Sequence, residues 1–245
     1  MNFIQCYPSV FLKRAISEER TKILSMISYY GSKSKLVNLY KPPTKDLIIE
    51  PFAGSARYAL KYWEKEVLLV DKYDVIIDMW HWLQQASKKD LDALPKLKQG
   101  DCLDDFNLSR GEFLFLSFIV NEGTTGLRKT VTKRAAPKVD YKIKTTKDIL
   151  HKIKHWDIRL GCYTEIENKE ATWFIDPPYV KGGKCYPKGN KDINFEELGK
   201  WCKGRNGEVI VCENDNANWL NFTKLKEHWG GIKKSTEVVY YQGFE

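Results

Sequence analysis

Short apolar runs recur along the chain, and several of them end at an acidic residue. Runs of four or five apolar residues that show no helical spacing predict buried strands. The runs with this character predict strands over 46–50, 67–71, 171–175, 208–212 and 237–241. A further short strand is predicted to end near Gly161-Cys162-Tyr163.

Between these strands the apolar residues are spaced as on one face of a helix. Ile76, Ile77, Trp80 and Leu83 share such a face and predict a helix from Val75 to about 87. Similar patterns predict further helices over 17–28, 58–62, 113–120 and 195–202. Strands that alternate with helices predict an α/β fold built around a parallel sheet.

The alternation fails between about residues 100 and 155. This region contains one apolar helix and then a polar loop rich in turn-forming residues, 121–129. We therefore predict one α/β domain, formed by 1–99 and 156–245, that is interrupted by an inserted and mostly helical region, 100–155.

The net charge of +8 favours a polyanionic partner, and its distribution along the chain strengthens that indication. Eleven Lys and Arg residues but three acids lie between Arg128 and Arg159, so this segment alone carries a net charge of +8. Such segregation is typical of a segment that contacts phosphates, although a merely solvated basic face is the alternative.

The six cysteines and four histidines show no spacing typical of a zinc site, so no metal is expected. Scattered cysteines without an evident export signal favour a reducing compartment. No apolar run approaches the roughly 20 residues that a membrane span needs.

Two turns have the composition of a cofactor site. Small residues in 52–56 follow a predicted strand and open a helix, where backbone N–H groups can approach a ligand. Asp71 follows at the distance where nucleotide-binding units place a ribose-binding carboxylate. The earlier turn 29–35 combines aromatic, glycine and lysine residues, which suit a carboxylate or phosphate. A plain tight turn and a solvated basic turn are the respective alternatives.

The tetrapeptide Asp176-Pro177-Pro178-Tyr179 ends the strand 171–175. Proline stops the strand because it lacks an N–H group and has a fixed φ. An acceptor carboxylate, a carbonyl without a neighbouring donor and an aromatic ring together suit a planar base with an exocyclic amine. The alternative is a proline-rich turn in which Asp176 caps a helix.

In these motifs and their order the chain resembles the Dam-like family of DNA adenine-N6 methylases, over roughly 29–220. That family has an aromatic-Gly-Lys turn, then F-x-G-x-G, a recognition region and D-P-P-Y. Here Ala56 stands in place of the last glycine of F-x-G-x-G, and Ser32 in place of a glycine of the first turn. The resemblance implies a Rossmann-like sheet of the type found in S-adenosylmethionine-dependent methyltransferases, with 100–155 as an inserted target-recognition region.

The resemblance also implies roles for individual residues. The catalytic group would be Asp176, Pro177, Pro178 and Tyr179, with Asp176 and the Pro177 carbonyl accepting the two N6 hydrogens of a flipped-out adenine and Tyr179 stacking on the base. S-adenosylmethionine would be bound by Tyr29, Gly31, Lys33, Phe52, Ala53, Gly54, Asp71, Tyr163 and Asp176. DNA would be contacted by Arg128, Lys129, Lys133, Arg134, Lys138, Lys184 and Lys188.

The expected function is therefore methyl transfer from S-adenosylmethionine to adenine N6 in DNA, with no metal. Restriction–modification is one expected setting, the cytoplasm of a prokaryotic or phage-infected cell the expected location, and a monomer the default state. Two alternatives stay open. One is an enzyme of the same fold that acts on RNA or on cytosine N4, and the other is a DNA-binding homologue that has lost transfer.

Overall fold

The structure, a computed structural model, describes residues 33, 36–122, 126–186, 189–230 and 233–244. The helix expected over 17–28 lies outside these residues, as do Tyr29, Gly31 and Lys188.

A mixed sheet of seven strands forms the centre of the described part of the chain. The strands are β1 (Leu47–Glu50), β2 (Glu66–Asp71), β3 (Asp157–Leu160), β4 (Ala171–Ile175), β5 (Gly207–Asn214), β6 (Thr223–Gly230) and β7 (Lys233–Gln242). Their order is β3-β2-β1-β4-β5-β7-β6. Strands β1 to β5 are all parallel to one another, whereas β7 is antiparallel to both β5 and β6.

Six α-helices accompany the sheet in the described residues. They are α1 (Arg57–Lys61), α2 (Asp74–Gln85), α3 (Lys88–Ala93), α4 (Arg110–Val120), α5 (Val139–Lys147) and α6 (Phe195–Lys203). Asn194 caps the start of α6, because its side chain accepts hydrogen bonds from the backbone N–H groups of Glu196 and Glu197.

The strand order places a topological switch point at the centre of the sheet. β1 pairs with β2 on one side and with β4 on the other, so the connections after β1 and β4 lead away in opposite directions. Ligands bind in such a crevice at the carboxyl ends of the strands. The predicted Rossmann-like α/β fold, with a mostly helical insertion, is thereby confirmed.

The helices of 100–155 share one hydrophobic core with the sheet domain. Leu114 to Val120 of α4 are all buried, and the ring of Phe115 lies 5.2 Å from that of Trp82 on α2. A Cβ atom at Gly111 would lie 2.3 Å from Trp82 Cγ, so this close approach requires glycine. The division into an α/β domain and an inserted region stays a prediction, but the insertion packs closely on α2.

None of the helices in the described residues is both long enough and apolar enough to cross a membrane.

Candidate functional site

A cavity of about 320 Å³ opens at the carboxyl ends of β1, β2 and β4. Its volume falls at the lower end of the roughly 300–1,000 Å³ of small-molecule sites. Residues that are distant in the sequence line it together: 50–57, 71–73, 161–164, Asp176, Pro178, Gly189 and 192–194. The structure thus brings the predicted cofactor turn, Asp71, Tyr163 and Asp176 to one cavity.

The turn after β1 is held by a backbone hydrogen bond to β2 and by a side-chain hydrogen bond from α2. The Ala53 N–H donates to the Val70 carbonyl at 3.0 Å, and the Gly54 carbonyl accepts from the indole N–H of Trp80 at 3.0 Å. Ala56 has a φ of 45°, in the left-handed region where a Cβ atom is strained. Ala56 occupies the position of the last glycine in F-x-G-x-G, and its backbone has a conformation that favours glycine.

Asp71 fixes the same turn with both of its carboxylate oxygens. Oδ2 accepts from the Gly54 N–H at 3.0 Å, and Oδ1 accepts from the Tyr73 N–H at 2.9 Å. Burial raises the pKa of Asp71, and the two N–H groups counter that rise. Each carboxylate oxygen can accept a second hydrogen bond, so its predicted role toward ribose hydroxyls is compatible with this geometry.

Two aromatic rings form one wall of the cavity. The ring centroids of Phe52 and Tyr163 lie 5.4 Å apart at an interplanar angle of 31°. Trp201 on α6 supports Tyr163 from behind, edge to face, at 5.1 Å. A planar heterocycle would find an apolar surface here, within the same cavity as Asp71.

Asp176 forms an ion pair with Lys33. The Nζ atom of Lys33 lies 2.8 Å from Asp176 Oδ1, and both groups line the cavity. Burial raises the pKa of Asp176, the ammonium group of Lys33 lowers it, and the nearby carboxylate of Glu237 raises it. Burial would lower the pKa of Lys33, but the charges of Asp176 and Glu237 prevail and raise it.

Tyr179 is turned toward the interior by a hydrogen bond to β7. Its hydroxyl donates to Glu237 Oε1 at 2.8 Å, and the ring centroid lies 4.7 Å from Lys33 Nζ. Neither Pro177 nor Tyr179 is among the described residues that line the cavity, whereas Pro178 is. The stacking role of Tyr179 stays a prediction, and it would require a base that reaches past Asp176.

The segment after Pro178 is anchored to the end of β5. Glu213 accepts from the Val180 N–H at 2.7 Å, and the Asn214 side chain donates to the Lys181 carbonyl at 2.8 Å. The amide of Asn190 donates to the carbonyls of Tyr179 and Val180, each at 2.8 Å. These hydrogen bonds hold the segment near the cavity, and Tyr186 and Gly189 form part of the cavity wall.

Two buried charged residues of the cavity, Glu50 and Arg57, were not predicted. Glu50 accepts from the Ala59 N–H at 2.6 Å, and burial raises the pKa of its carboxyl group to about 8. Burial lowers the pKa of Arg57 to about 10. The acid in the sequence Glu50-Pro51-Phe52 stands at the end of a strand, as Asp71 and Asp176 do, and this position could have identified it.

The basic segment presents fewer charges to solvent than its sequence indicated. Lys142 and Lys152 are buried, and Lys142 donates to the Ile119 carbonyl at 2.6 Å. Burial lowers the pKa of Lys142 to about 8. These two lysines therefore serve as packing and capping groups, as amphipathic side chains can, while the phosphate-contacting role of the segment stays a prediction.

The residues predicted to contact DNA differ in their surroundings. Lys129 pairs with Asp104 at 2.9 Å and Arg134 with Glu122 at 3.2 Å. Lys133, Lys138 and Lys184 are exposed, and Arg128 is half-buried. Exposed ion pairs are weak, so neither pair prevents a competing phosphate from binding. The role of these residues toward DNA stays a prediction.

Glu237 and Tyr40 also belong to the site, and the sequence did not indicate them. The apolar run 237–241 predicts a strand, but nothing in that run marks its first residue as part of a site. The Tyr40 hydroxyl donates to Glu237 Oε1 at 2.7 Å. Only the pairing of β7 with β5 brings Glu237 near Asp176, and local sequence patterns carry no signal of that pairing.

No protein-family model and no curated protein matches the chain. Solved structures with some likeness include a conserved hypothetical protein from Streptococcus pyogenes (TM-score 0.32, 13% identity, 79% of this chain and 84% of that one). They also include a provisionally assigned methylase from Haemophilus influenzae (0.36, 14%, 82% and 81%). A third is the rRNA methyltransferase AviRa from Streptomyces viridochromogenes (0.35, 12%, 97% and 88%). TM-scores this low carry no argument about activity.

Proposed function

We propose that the protein is an S-adenosylmethionine-dependent methyltransferase that modifies N6 of adenine in DNA. One observation carries the proposal: a single cavity joins Asp71 and the Phe52–Tyr163 wall to the carboxylate of Asp176. A nucleoside-type cofactor and the amine that it modifies must meet in such a shared space. The resemblance in motif order, with D-P-P-Y at the end of β4, supports adenine as the target.

The chemistry of the cavity fits the cofactor. Asp71 offers carboxylate oxygens for ribose hydroxyls, and Phe52 and Tyr163 offer an apolar wall for an adenine ring. Glu50 and Asp176 also line the cavity, and the carboxylate of Asp176 provides negative charge that favours a cationic sulfonium group. When bound, S-adenosylmethionine supplies a sulfonium methyl group, and transfer forms a nitrogen–carbon bond, leaves a neutral thioether and releases one amine proton.

Asp176 and Pro177 would orient the amine of the substrate. The lone pair of an adenine amine is conjugated with the ring, which makes the nitrogen a poor nucleophile. Two acceptors, a carboxylate oxygen and the Pro177 carbonyl, would draw both N–H groups toward the protein and direct the lone pair at the reacting carbon. Such a contribution consists of positioning and electrostatics and needs no covalent intermediate.

Lys33 would keep Asp176 ionised. A buried carboxyl group tends to hold its proton, and a protonated Asp176 would have less acceptor capacity. The ammonium group 2.8 Å from Oδ1 lowers the pKa of Asp176 and engages that oxygen. The proposal assigns the other oxygen, Oδ2, to the amine.

DNA is the proposed partner because exposed basic residues lie on the insertion and beside the cavity. A target adenine in a duplex must be flipped out, which costs a few kcal/mol that phosphate contacts can offset. Lys133, Lys138 and Lys184 are exposed and suited to such contacts.

The decisive experiment is mass spectrometry of nucleosides from DNA incubated with the protein and S-adenosylmethionine. N6-methyldeoxyadenosine, formed by wild type and absent with Asp176→Ala, is the expected result. N4-methyldeoxycytidine, or methylated nucleosides only when RNA is supplied, would replace the proposed substrate. Labelled S-adenosylmethionine that neither binds in calorimetry nor loses its methyl group would overturn the proposal.

A further inference from the structure

Glu237 is a buried acid that touches two elements of the proposed site. A single oxygen, Oε1, accepts from the hydroxyls of Tyr40 at 2.7 Å and Tyr179 at 2.8 Å. The same oxygen lies 3.8 Å from Lys33 Nζ. The residue is 3% exposed, so these groups, and not solvent, stabilise the carboxylate.

Strand β7, near the end of the described residues, places Glu237 beside Tyr179 and Lys33. β7 runs antiparallel to β5, and their register pairs Glu237 with Asn214 at the carboxyl end of β5. That end neighbours the carboxyl end of β4, where Asp176 lies. A buried carboxylate at this point is costly, and it serves no strand pairing that an apolar residue could not serve equally well.

Tyr179 has one hydroxyl proton and two acidic neighbours. Asp176 and Glu237 both raise the pKa of Tyr179, so both carboxylates lie near its hydroxyl. The hydroxyl donates to Glu237 at 2.8 Å and is thereby drawn away from Asp176, for which Tyr179 is also a hydrogen-bond partner. Without Glu237 the hydroxyl would be left to Asp176 alone and would compete more strongly with the substrate amine.

We propose that Glu237 is a positioning residue for methyl transfer: it holds the Tyr179 hydroxyl and shares Lys33 with Asp176, which keeps Asp176 available to the amine. This inference rests on the proposed function. Glu237 acts through its neighbours and does not itself contact the reacting atoms.

Glu237→Gln tests the charge while keeping an acceptor at the same place. Because Glu237 raises the pKa of Asp176, its neutralisation lowers that pKa. The acid limb of the pH–kcat profile should therefore move to lower pH. We expect kcat above that limb to fall about tenfold with little change in KM, because Lys33 then pairs with Asp176 alone and holds it away from the amine. A variant with an unshifted limb and an unchanged kcat overturns the inference.

Glu208→Gln is the matched control. Glu208 is likewise buried, at 1% exposure, and accepts from the Thr44 hydroxyl at 2.6 Å and from the Thr172 hydroxyl. It lies at the amino end of β5, away from Asp176. This variant should lose stability but keep the kcat and pH profile of wild type. Identical behaviour of the two variants would reduce Glu237 to a structural role and overturn the inference.

A rescue variant tests the competition directly. Glu237→Leu removes the acceptor, and the Tyr179 hydroxyl is then expected to donate to Asp176 and suppress transfer. Adding Tyr179→Phe removes that hydroxyl but keeps the ring, so the double variant should transfer faster than Glu237→Leu alone. A double variant slower than the single one overturns the inference. If Glu237→Leu does not fold, the Glu237→Gln profile decides.

A measurement without turnover separates this inference from the proposed function. In denaturant unfolding, Glu237→Gln and Tyr179→Phe should be non-additive by at least about twofold in the unfolding constant, because Glu237→Gln replaces a charge-assisted hydrogen bond with a weaker neutral one and Tyr179→Phe removes that bond altogether. If the two substitutions are coupled but the wild-type protein methylates no nucleoside, the proposed function is refuted while the Glu237–Tyr179 hydrogen bond is supported. Strict additivity overturns the inference whatever the activity.

Discussion

Lys33 and Asp176 form an ion pair of 2.8 Å that joins a residue ahead of β1 to the carboxylate at the end of β4. The pair links the first described residue of the chain to the centre of the proposed site. It determines which protonation state Asp176 holds, because burial and Glu237 act in the opposite direction to Lys33.

Replacing Lys33 with Met should raise the pKa of Asp176, since burial and the charge of Glu237 then act unopposed. Transfer needs the carboxylate, so the acid limb of the pH–kcat profile should move to higher pH. Glu237→Gln is expected to move it the opposite way. Lys33→Arg, which keeps the positive charge, should restore most of the profile. A limb that stays in place in Lys33→Met would show that the ion pair does not control Asp176.

Asp176→Asn should reduce kcat by a factor of at least about 100, the scale for removal of one aligned electrostatic interaction. The amide keeps the shape of the side chain, and its oxygen accepts more weakly than a carboxylate. Cofactor affinity, measured by calorimetry, should fall by a smaller factor than kcat, because only the charge near the sulfonium is lost while Asp71 and the aromatic wall are untouched. Near-wild-type kcat in a folded Asp176→Asn protein would contradict the assignment.

Glu50→Gln should increase the stability of the ligand-free protein at alkaline pH. The folded-state pKa of Glu50 is about 8, above its ordinary value of 4.5, so its contribution to stability is present below 4.5 and lost as the pH rises through 8. The variant's advantage over wild type should therefore grow across this window, by at most about 1.4 kcal/mol per pH unit. Urea unfolding of both proteins at a series of pH values measures it, and a constant difference would argue against the shifted pKa.

Ala56→Gly should stabilise the protein by about 0.5–1 kcal/mol. Relief of the left-handed backbone is worth about 1–2 kcal/mol, and the added freedom of glycine in the unfolded chain returns part of it. Thermal unfolding measures the change. Ala59→Gly, inside α1 and also fully buried, is the control and should destabilise by about 1 kcal/mol. Destabilisation by Ala56→Gly would show that the turn does not need a positive φ.

Neutralising Lys133 and Lys138 with glutamine should weaken DNA binding. The salt slope should fall by about 1 for each phosphate that the variant no longer neutralises. The control neutralises the exposed Lys169 and Lys203, which precede β4 and β5 and so lie near the amino ends of these strands, away from the cavity. That control should leave the slope unchanged. Equal slopes in the two double variants would remove the insertion as the DNA-binding surface.

Much of the fold could be predicted from periodicity alone. The strand expected over 171–175 is β4, residue for residue, and the helix expected from Val75 is α2. β6 was not predicted, because Lys224, Lys226 and Glu227 interrupt its apolar pattern. Its hydrogen-bonded partner in the sheet is β7. The predicted bounds of α4 are too short at its start, where Ser109 and Glu112 form a capping box around polar residues.

The strand pattern alone predicted site residues only where they follow strands, whereas Lys33, ahead of β1, was predicted from the composition of its turn and from the resemblance. Asp71 and Asp176 end apolar runs, so the rule that ligands bind at carboxyl ends of parallel strands located both. Glu237 enters through an antiparallel strand, and no local pattern reveals which interior position such a strand will face. The charge count did not show that Lys142 and Lys152 are buried, because a sequence does not reveal which lysines pack their stems against apolar residues.

The antiparallel insertion of β7 between β5 and β6 has a consequence for folding. The groups around Asp176 come from Lys33, from the middle of the chain and from a strand near the end of the described residues, so their interactions span most of its length. Interactions of such large sequence separation form late, after the loops between them have closed. The pairing of β1 with β4 (Ile48 with Thr172) spans far more of the sequence than the pairing of β5 with β7 (Asn214 with Glu237). β7 can therefore pair with β5 before β1 meets β4, so Glu237 is in place before the Lys33–Asp176 ion pair forms. Cofactor binding and methyl transfer should accordingly return together in refolding.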